Sequence, residues 1–269
     1  MSKMKTAFIG GGVMGESILS AILEKGLSTP QAILISDVNQ ARCQYLKQKY
    51  GVAALNDNRL TIADSNTVVL AIKPQNLVEV MAELNIYLKP GQLVLSIVAG
   101  ARIDTLRLGL GHNRIVRAMP NTPAQIGEGI SIWTATAEVT KEQRGWVDSV
   151  LGAMGQKVYV DDEQYIDMAT AVSGSGPAYF FLMAESLLEA AVHIGLPQDT
   201  AQKLVLQTML GSARLIQRSG KAPAELRRMV TSPGGTTAEA LLQLEKGGFP
   251  NLIMQAVQAA YDKAKQLGS

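Results

Sequence analysis

Three stretches of this chain carry residue types whose spacing could do chemistry. The first is Gly10-Gly11-Gly12-Val13-Met14-Gly15, which follows the apolar run Lys5–Ile9 and precedes an amphipathic run from Glu16 to Gly26. Glycines at the first, third and sixth positions, between a strand and a helix, form the fingerprint that binds a dinucleotide. Gly10 permits the tight turn, Gly12 leaves room for the pyrophosphate, and Gly15 lets the helix pack on the strand. The helix N-terminus at Val13 and Met14 offers N–H groups and a positive dipole end to the phosphates. Outside that setting a glycine triplet only turns the chain.

The other two stretches are rich in hydroxyls. Ser173-Gly174-Ser175-Gly176-Pro177 leads into an apolar helical run, and Thr231-Ser232-Pro233-Gly234-Gly235-Thr236-Thr237 leads into another. Both place Gly, Ser and Thr where a helix begins, so exposed N–H groups and hydroxyls could hold an anion. Neither carries the basic residues of a phosphate grip, which favours a carboxylate guest. The alternative is that both are simple N-caps. Between the glycine fingerprint and these loops, three turns each follow a strand: Ala71-Ile72-Lys73-Pro74, Ser96 to Gly100, and Met119-Pro120-Asn121-Thr122-Pro123. Ligands of open α/β sheets sit beyond the carboxyl ends of strands, so these turns face the cofactor. Lys73 reads equally as a cofactor contact or as a solvated lysine. Asp37 stands about 20 residues past Gly15, where an acid holds the ribose 2′-hydroxyl of NAD. Arg42, nearby in sequence, could meet the extra phosphate of NADP or be a solvated helix charge.

Elements able to position these residues alternate along the first half. Apolar strand-like runs at Ile33–Ser36, Val68–Ile72, Leu93–Ile97 and Ile115–Arg117 are separated by helical patterns at Gln40–Tyr50, Asn76–Leu88 and Ile103–Leu110. Strands at Ile130–Trp133 and Lys157–Val160 flank a further helix at Lys141–Met154. Such alternation predicts an α/β fold, an N-terminal Rossmann-like doubly wound sheet. Beyond Asp161 only helical patterns remain: Pro177–Ile194, Gln198–Ser219, Ala224–Val230, Thr237–Lys246 and Asn251–Leu267. The expected domains are therefore residues 1–160, binding NAD(P), and 161–269, all-helical. Ala178–Ala191 is apolar on nearly every side, and a small helical domain cannot bury such a helix alone. The helical half is read as a dimerisation and substrate-binding unit, with one large shared core as the alternative.

Composition narrows the function. Lys plus Arg number 25 against 23 Asp plus Glu, and a net charge of +2 argues against nucleic acid or a membrane surface as partner. Cys43 is the only cysteine, and His112 and His193 the only histidines. A disulfide, a metal site and a Ser-His-Asp triad are thus all poorly supplied, and no metal is expected. His193 suits the last turn of a helix, where an imidazole favours the dipole. The apolar N-terminal run breaks at the triple glycine, so it reads as a strand and not a signal peptide, and a cytoplasmic protein is expected.

Taken end to end, the chain resembles the pyrroline-5-carboxylate reductases. The resemblance is carried by GGGVMG, AIKP, SIVAG, RAMPNTP and SGSGPAY, and above all by PAELRRMVTSPGGTTAEAL from Pro223 to Leu241. It implies NAD(P)H-dependent reduction of (S)-1-pyrroline-5-carboxylate to L-proline by a homodimer, with dimers assembling into decamers in some members. It places Asn58, the Ala71–Pro74 turn and Ala99 at the cofactor. It places Gly234, Gly235, Thr236 and Thr237 at the substrate carboxylate, with Thr237 beside the ring nitrogen as the catalytic residue; Ser175 is expected at the carboxylate from the composition of its own loop. A glutamate and an asparagine used by some members are replaced here by Gly220 and Met229. NADPH and NADH both remain open, because Asp37 favours one and the family often uses the other. The alternatives are a related imine reductase or hydroxyacid dehydrogenase, which shares the two-domain plan, and, from a different class, a non-catalytic NAD(P)-binding regulator.

Overall fold

The computed structural model describes residues 4–268. Its first unit is built on one sheet whose strands lie in the order β3-β2-β1-β4-β5-β6-β7-β8. In chain order these elements are β1 (Thr6–Ile9), α1 (Val13–Glu24), β2 (Ile33–Ser36), α2 (Gln40–Tyr50), β3 (Ala53–Leu55), α3 (Asn58–Ile62), β4 (Thr67–Leu70), α4 (Leu77–Leu84), β5 (Leu93–Ser96), α5 (Ile103–Leu110), β6 (Ile115–Met119), β7 (Gly129–Ala135), α6 (Lys141–Ala153) and β8 (Gly155–Tyr159). Every pairing is parallel except β6 with β7. The expected doubly wound architecture is present. β3 and α3 are additions that the sequence did not announce; at three and five residues they are too short to show a period.

Alternation along β1 explains the layers. Phe8 points into one core with Ile18, Leu19, Ile35 and Leu46, while Ala7 and Ile9 point into another with Val68, Leu84 and Leu106. A strand buried on both faces must be apolar throughout, and β1, β4 and β5 are buried along their whole length. Register then aligns the carboxyl ends: Ile9 pairs with both Ser36 and Leu70, and Leu70 pairs with Ser96. Gly10, Asp37, Ala71 and Ile97 therefore leave the sheet along one edge. The order reverses between β1 and β4, which opens the crevice where such sheets bind ligands.

The rest of the chain is helical: α7 (Gln164–Ala169), α8 (Gly176–His193), α9 (Gln198–Ser219), α10 (Pro223–Met229), α11 (Thr236–Lys246) and α12 (Phe249–Leu267). Pro223 opens α10, His193 closes α8, and Gly220 ends α9 in the left-handed conformation, as their residue types favour. Two compact units result. One runs to Ser175 and includes the chain from Ala260 onward; the other is Gly176–Ala259. This division falls later than the boundary expected at 160/161. Arg117 of β6 is 2% exposed and pairs with Glu163 Oε1 at 2.7 Å and Asp167 Oδ1 at 2.5 Å, which ties α7 to the sheet.

Candidate functional site

At the crevice, each glycine of the fingerprint meets a different constraint. Gly10 has φ +96°, and a Cβ there would lie 2.5 Å from the Ala71 carbonyl oxygen, so no other residue fits. A Cβ at Gly15 would lie 2.5 Å from the Gly10 oxygen, which is the close helix–strand approach the spacing predicts. Gly12 differs. Its backbone is extended at φ −62° and ψ −173°, and a Cβ would meet nothing within 4 Å. Nothing in the protein requires glycine there; the open space lies at the N-terminus of α1, which no side chain caps. That space is open to a ligand.

A cavity of about 450 Å³ opens at this point. Of the residues expected at the cofactor, Gly10, Gly12, Asp37, Asn58, Ala71, Ile72 and Lys73 line it. Gly11, Val13, Met14, Gly15, Pro74 and Ala99 do not, and the structure shows why for several. The Gly11 N–H is taken by Asp37, Met14 packs on the core, and Gly15 lies beneath the turn. Sequence reasoning missed Ser36, Asn39, Asn76 and Val80, which also line the cavity. Their places follow from the same strand ends and the start of α4. The Asn58 side chain accepts from Ser36 Oγ and donates to Glu83 Oε2 at 2.7 Å, so it is held in place by the protein itself.

The acid at the end of β2 is already partnered. Asp37 Oδ2 accepts the Gly11 N–H at 2.8 Å and Oδ1 accepts the Asn39 N–H at 2.8 Å. Arg42 lines the same cavity and is tied into the protein around it. It donates from Nε to the Gly11 carbonyl and from Nη2 to Glu16 Oε2. Glu16 also accepts from Lys49 Nζ at 2.9 Å and Tyr50 Oη at 2.8 Å. Burial alone pushes the Glu16 carboxyl up, but the hydrogen bonds from Lys49, Tyr50 and Arg42 win and hold it down at about 2.

The Ser173–Pro177 loop corrects an expectation. It is not a loop capping a helix; Thr170–Gly174 is a π-helical turn that continues α7 directly into α8. Ser175 N–H donates to the Thr170 carbonyl at 2.8 Å, and Ser173 Oγ to the Ala169 carbonyl at 3.0 Å. Two glycines in a row of small residues let the helix widen by one residue where a proline follows. The Ser175 N–H is therefore spent within the helix and cannot grip an anion. Asn121 is likewise used internally, accepting the Ile130 N–H at 2.9 Å.

In the second unit, the Thr231–Thr237 segment keeps the character its residues suggest. Gly234 has φ +69°, and a Cβ on Gly235 would lie 2.4 Å from Ser232 Oγ. Gly235 is the N-cap of α11 and no side chain caps that helix, so Ser232 and Thr236 are not the simple caps that were the alternative. Thr236 and Thr237 form its first turn. Elsewhere, His112 is buried with Nε2 at 2.8 Å from the Gln92 carbonyl, at the amino ends of β5 and β6, far along the strands from the crevice edge. Among the described residues no cluster of His, Cys, Asp or Glu is suited to a metal ion, and no helix is long and apolar enough to cross a membrane.

Comparison with known proteins fits this geometry. Residues 163–267 match the family described as pyrroline-5-carboxylate reductase dimerisation, and residues 5–100 match the one described as NADP oxidoreductase, coenzyme F420-dependent. A pyrroline-5-carboxylate reductase of Synechocystis is 41% identical over 98% of this chain and 98% of its own. A solved reductase of the same name from Coxiella burnetii is 37% identical, with TM-score 0.87 and full coverage of both chains. The pyrroline carboxylate reductase of Plasmodium falciparum, solved with NADP bound, is 31% identical with TM-score 0.92, again over both whole chains.

Proposed function

The chain belongs to the pyrroline-5-carboxylate reductase family, and from that membership we propose how its residues divide the work. The protein is an oxidoreductase that reduces (S)-1-pyrroline-5-carboxylate to L-proline with NAD(P)H, the last step of proline biosynthesis. The crevice suits the dinucleotide on one decisive observation: the open position at Gly12 over an uncapped helix N-terminus. When bound, the reduced nicotinamide supplies the hydride, and the chain must orient both partners and keep water out. The first turn of α1 holds the pyrophosphate, Asp37 faces the adenosine ribose, and Ala71, Ile72 and Lys73 wall the opposite side of the cavity.

For the substrate, the Gly234–Thr237 backbone holds the carboxylate at the N-terminus of α11, and the Thr237 hydroxyl lies by the ring nitrogen. The uncapped first turn and the left-handed Gly234 support this assignment. Ser175 contributes through its side chain and not through its N–H. Hydride adds to the carbon of a protonated cyclic imine whose nitrogen already holds its proton, so no nucleophile or general base is needed. The active species is a homodimer formed through the helical unit, where Phe180 and Phe181 are 67% and 65% exposed in the single chain. A decamer would be built from that dimer. The single, unpaired Cys43 accords with a cytoplasmic enzyme.

Steady-state kinetics test the reading. Turnover is expected with pyrroline-5-carboxylate and absent with a panel of 2-hydroxyacids; the reverse outcome overturns it.

A further inference from the structure

We propose that Glu16 decides which dinucleotide this enzyme prefers: by engaging Arg42 it leaves Asp37 as the charge presented to the adenosine ribose, so NADH is favoured over NADPH. The inference rests on the cofactor crevice assigned above. In the sheet, β2 and β4 flank β1 on opposite sides, which separates the two cations of the cavity. Lys73 follows β4, whereas Arg42, on the helix after β2, is the cation on the side of Asp37.

A 2′-phosphate needs a cation with donors to spare, because charge-assisted bonds supply its affinity. Arg42 has few left. Its Nε serves the Gly11 carbonyl at 2.5 Å, its Nη2 serves Glu16 Oε2, and its guanidinium stacks 4.9 Å from the centre of the Tyr45 ring. Glu16 is itself held from the other side by Lys49 and Tyr50, so it does not swing away to release the arginine. Asp37 is fixed by the Gly11 and Asn39 N–H groups at 2.8 Å each. A carboxylate accepting one bond per oxygen keeps lone pairs for ribose hydroxyls. The same charge repels a phosphate dianion brought to the same place.

The test avoids turnover and uses two nicotinamide-free ligands, ADP-ribose and its 2′-phosphorylated form, titrated calorimetrically into the full chain at one ionic strength. Wild type should bind ADP-ribose more tightly by about tenfold or more, as expected when a like charge faces the phosphate. Glu16→Gln should shift that ratio toward the phosphorylated ligand by about fivefold, and the shift should vanish when Arg42→Met is added. Glu16→Asp, one methylene too short to hold Arg42, should move the ratio the same way and stands in if the glutamine variant does not fold. A wild-type preference for the phosphorylated ligand overturns the proposal. So does a ratio unmoved by both Glu16 variants, or a shift that survives Arg42→Met. Equal, tight binding of both ligands removes the role of Glu16 alone; binding of neither removes the crevice assignment and this inference with it.

Discussion

The two units of this chain satisfy their apolar residues in different ways. The sheet unit sorts Phe8, Ile18 and Leu46 to one face and Ile9, Val68 and Leu84 to the other, each with almost no exposure. In the helical unit, Ala201 and Val205 are among the few buried residues, while Phe180, Phe181, Leu182 and Leu204 remain largely exposed. A sheet covered by helices on both faces closes its own core. Helices with apolar residues all round do not close a core by themselves. The self-sufficient unit contains the crevice proposed for the dinucleotide, and the other leaves exposed the apolar surface that the proposed dimer would cover.

The strongest challenge to the self-sufficiency of the sheet unit is Arg117→Met. It leaves Asp167 and Glu163 without their buried partner and should cost about 3–5 kcal/mol, read as a lower denaturation midpoint. A loss under about 1 kcal/mol would mean water replaces the guanidinium and α7 is not anchored by charge. Phe181→Asp addresses the other unit. It should leave the sheet folded but shift light scattering from dimer to monomer, weakening association by about 2 kcal/mol or more. An unchanged dimer places the interface on another face.

Gly12→Val separates fold from function inside the sheet unit. Its Cβ meets open space, so melting should be nearly unchanged while affinity for the dinucleotide falls by about a hundredfold, the loss of a phosphate contact at a helix N-terminus. Intact affinity would show that the pyrophosphate lies elsewhere. In the helical unit, Thr237→Ala should lower kcat by about 1–3 kcal/mol in transition-state terms with KM little changed. Gly235→Val should instead raise KM for the imine, because its side chain displaces the Ser232 hydroxyl at the carboxylate cradle. Identical kinetics from both would move the carboxylate to another site.

The smallest effect concerns His112. Burial pushes its imidazole below the ordinary value, the Gln92 carbonyl partly opposes this, and Arg114 adds to it. A base with a lowered pKa in the folded state takes up its proton first when unfolded. Its stability contribution is therefore complete above the ordinary imidazole range and is lost as pH falls below it. His112→Gln should flatten that slope by under about 1 kcal/mol. A slope identical to wild type would assign the acid sensitivity to other groups.

The sequence by itself determined whatever depends on neighbours along the chain. Gly10, Gly12 and Gly15 could be given their roles because a turn, a helix N-terminus and a helix–strand contact all arise within one short segment. The strands β2, β4 and β5 were legible for the same reason, since apolar runs are local, although β4 and β5 end at Leu70 and Ser96, short of the expected Ile72 and Ile97. Tertiary structure alone decided what depends on pairing across the chain. Arg117 meets Glu163 and Asp167 from 46 and 50 residues away, and Arg42 meets Glu16 from 26. Glu163 and Asp167 share one helix face, yet nothing in sequence names the strand they face. The π turn at Thr170–Gly174 belongs to this second class: small residues permit either a loop or a widened helix, and the local sequence does not choose between them. Local chemistry writes backbone conformation, but the partner of a charge is chosen only when the chain folds back on itself.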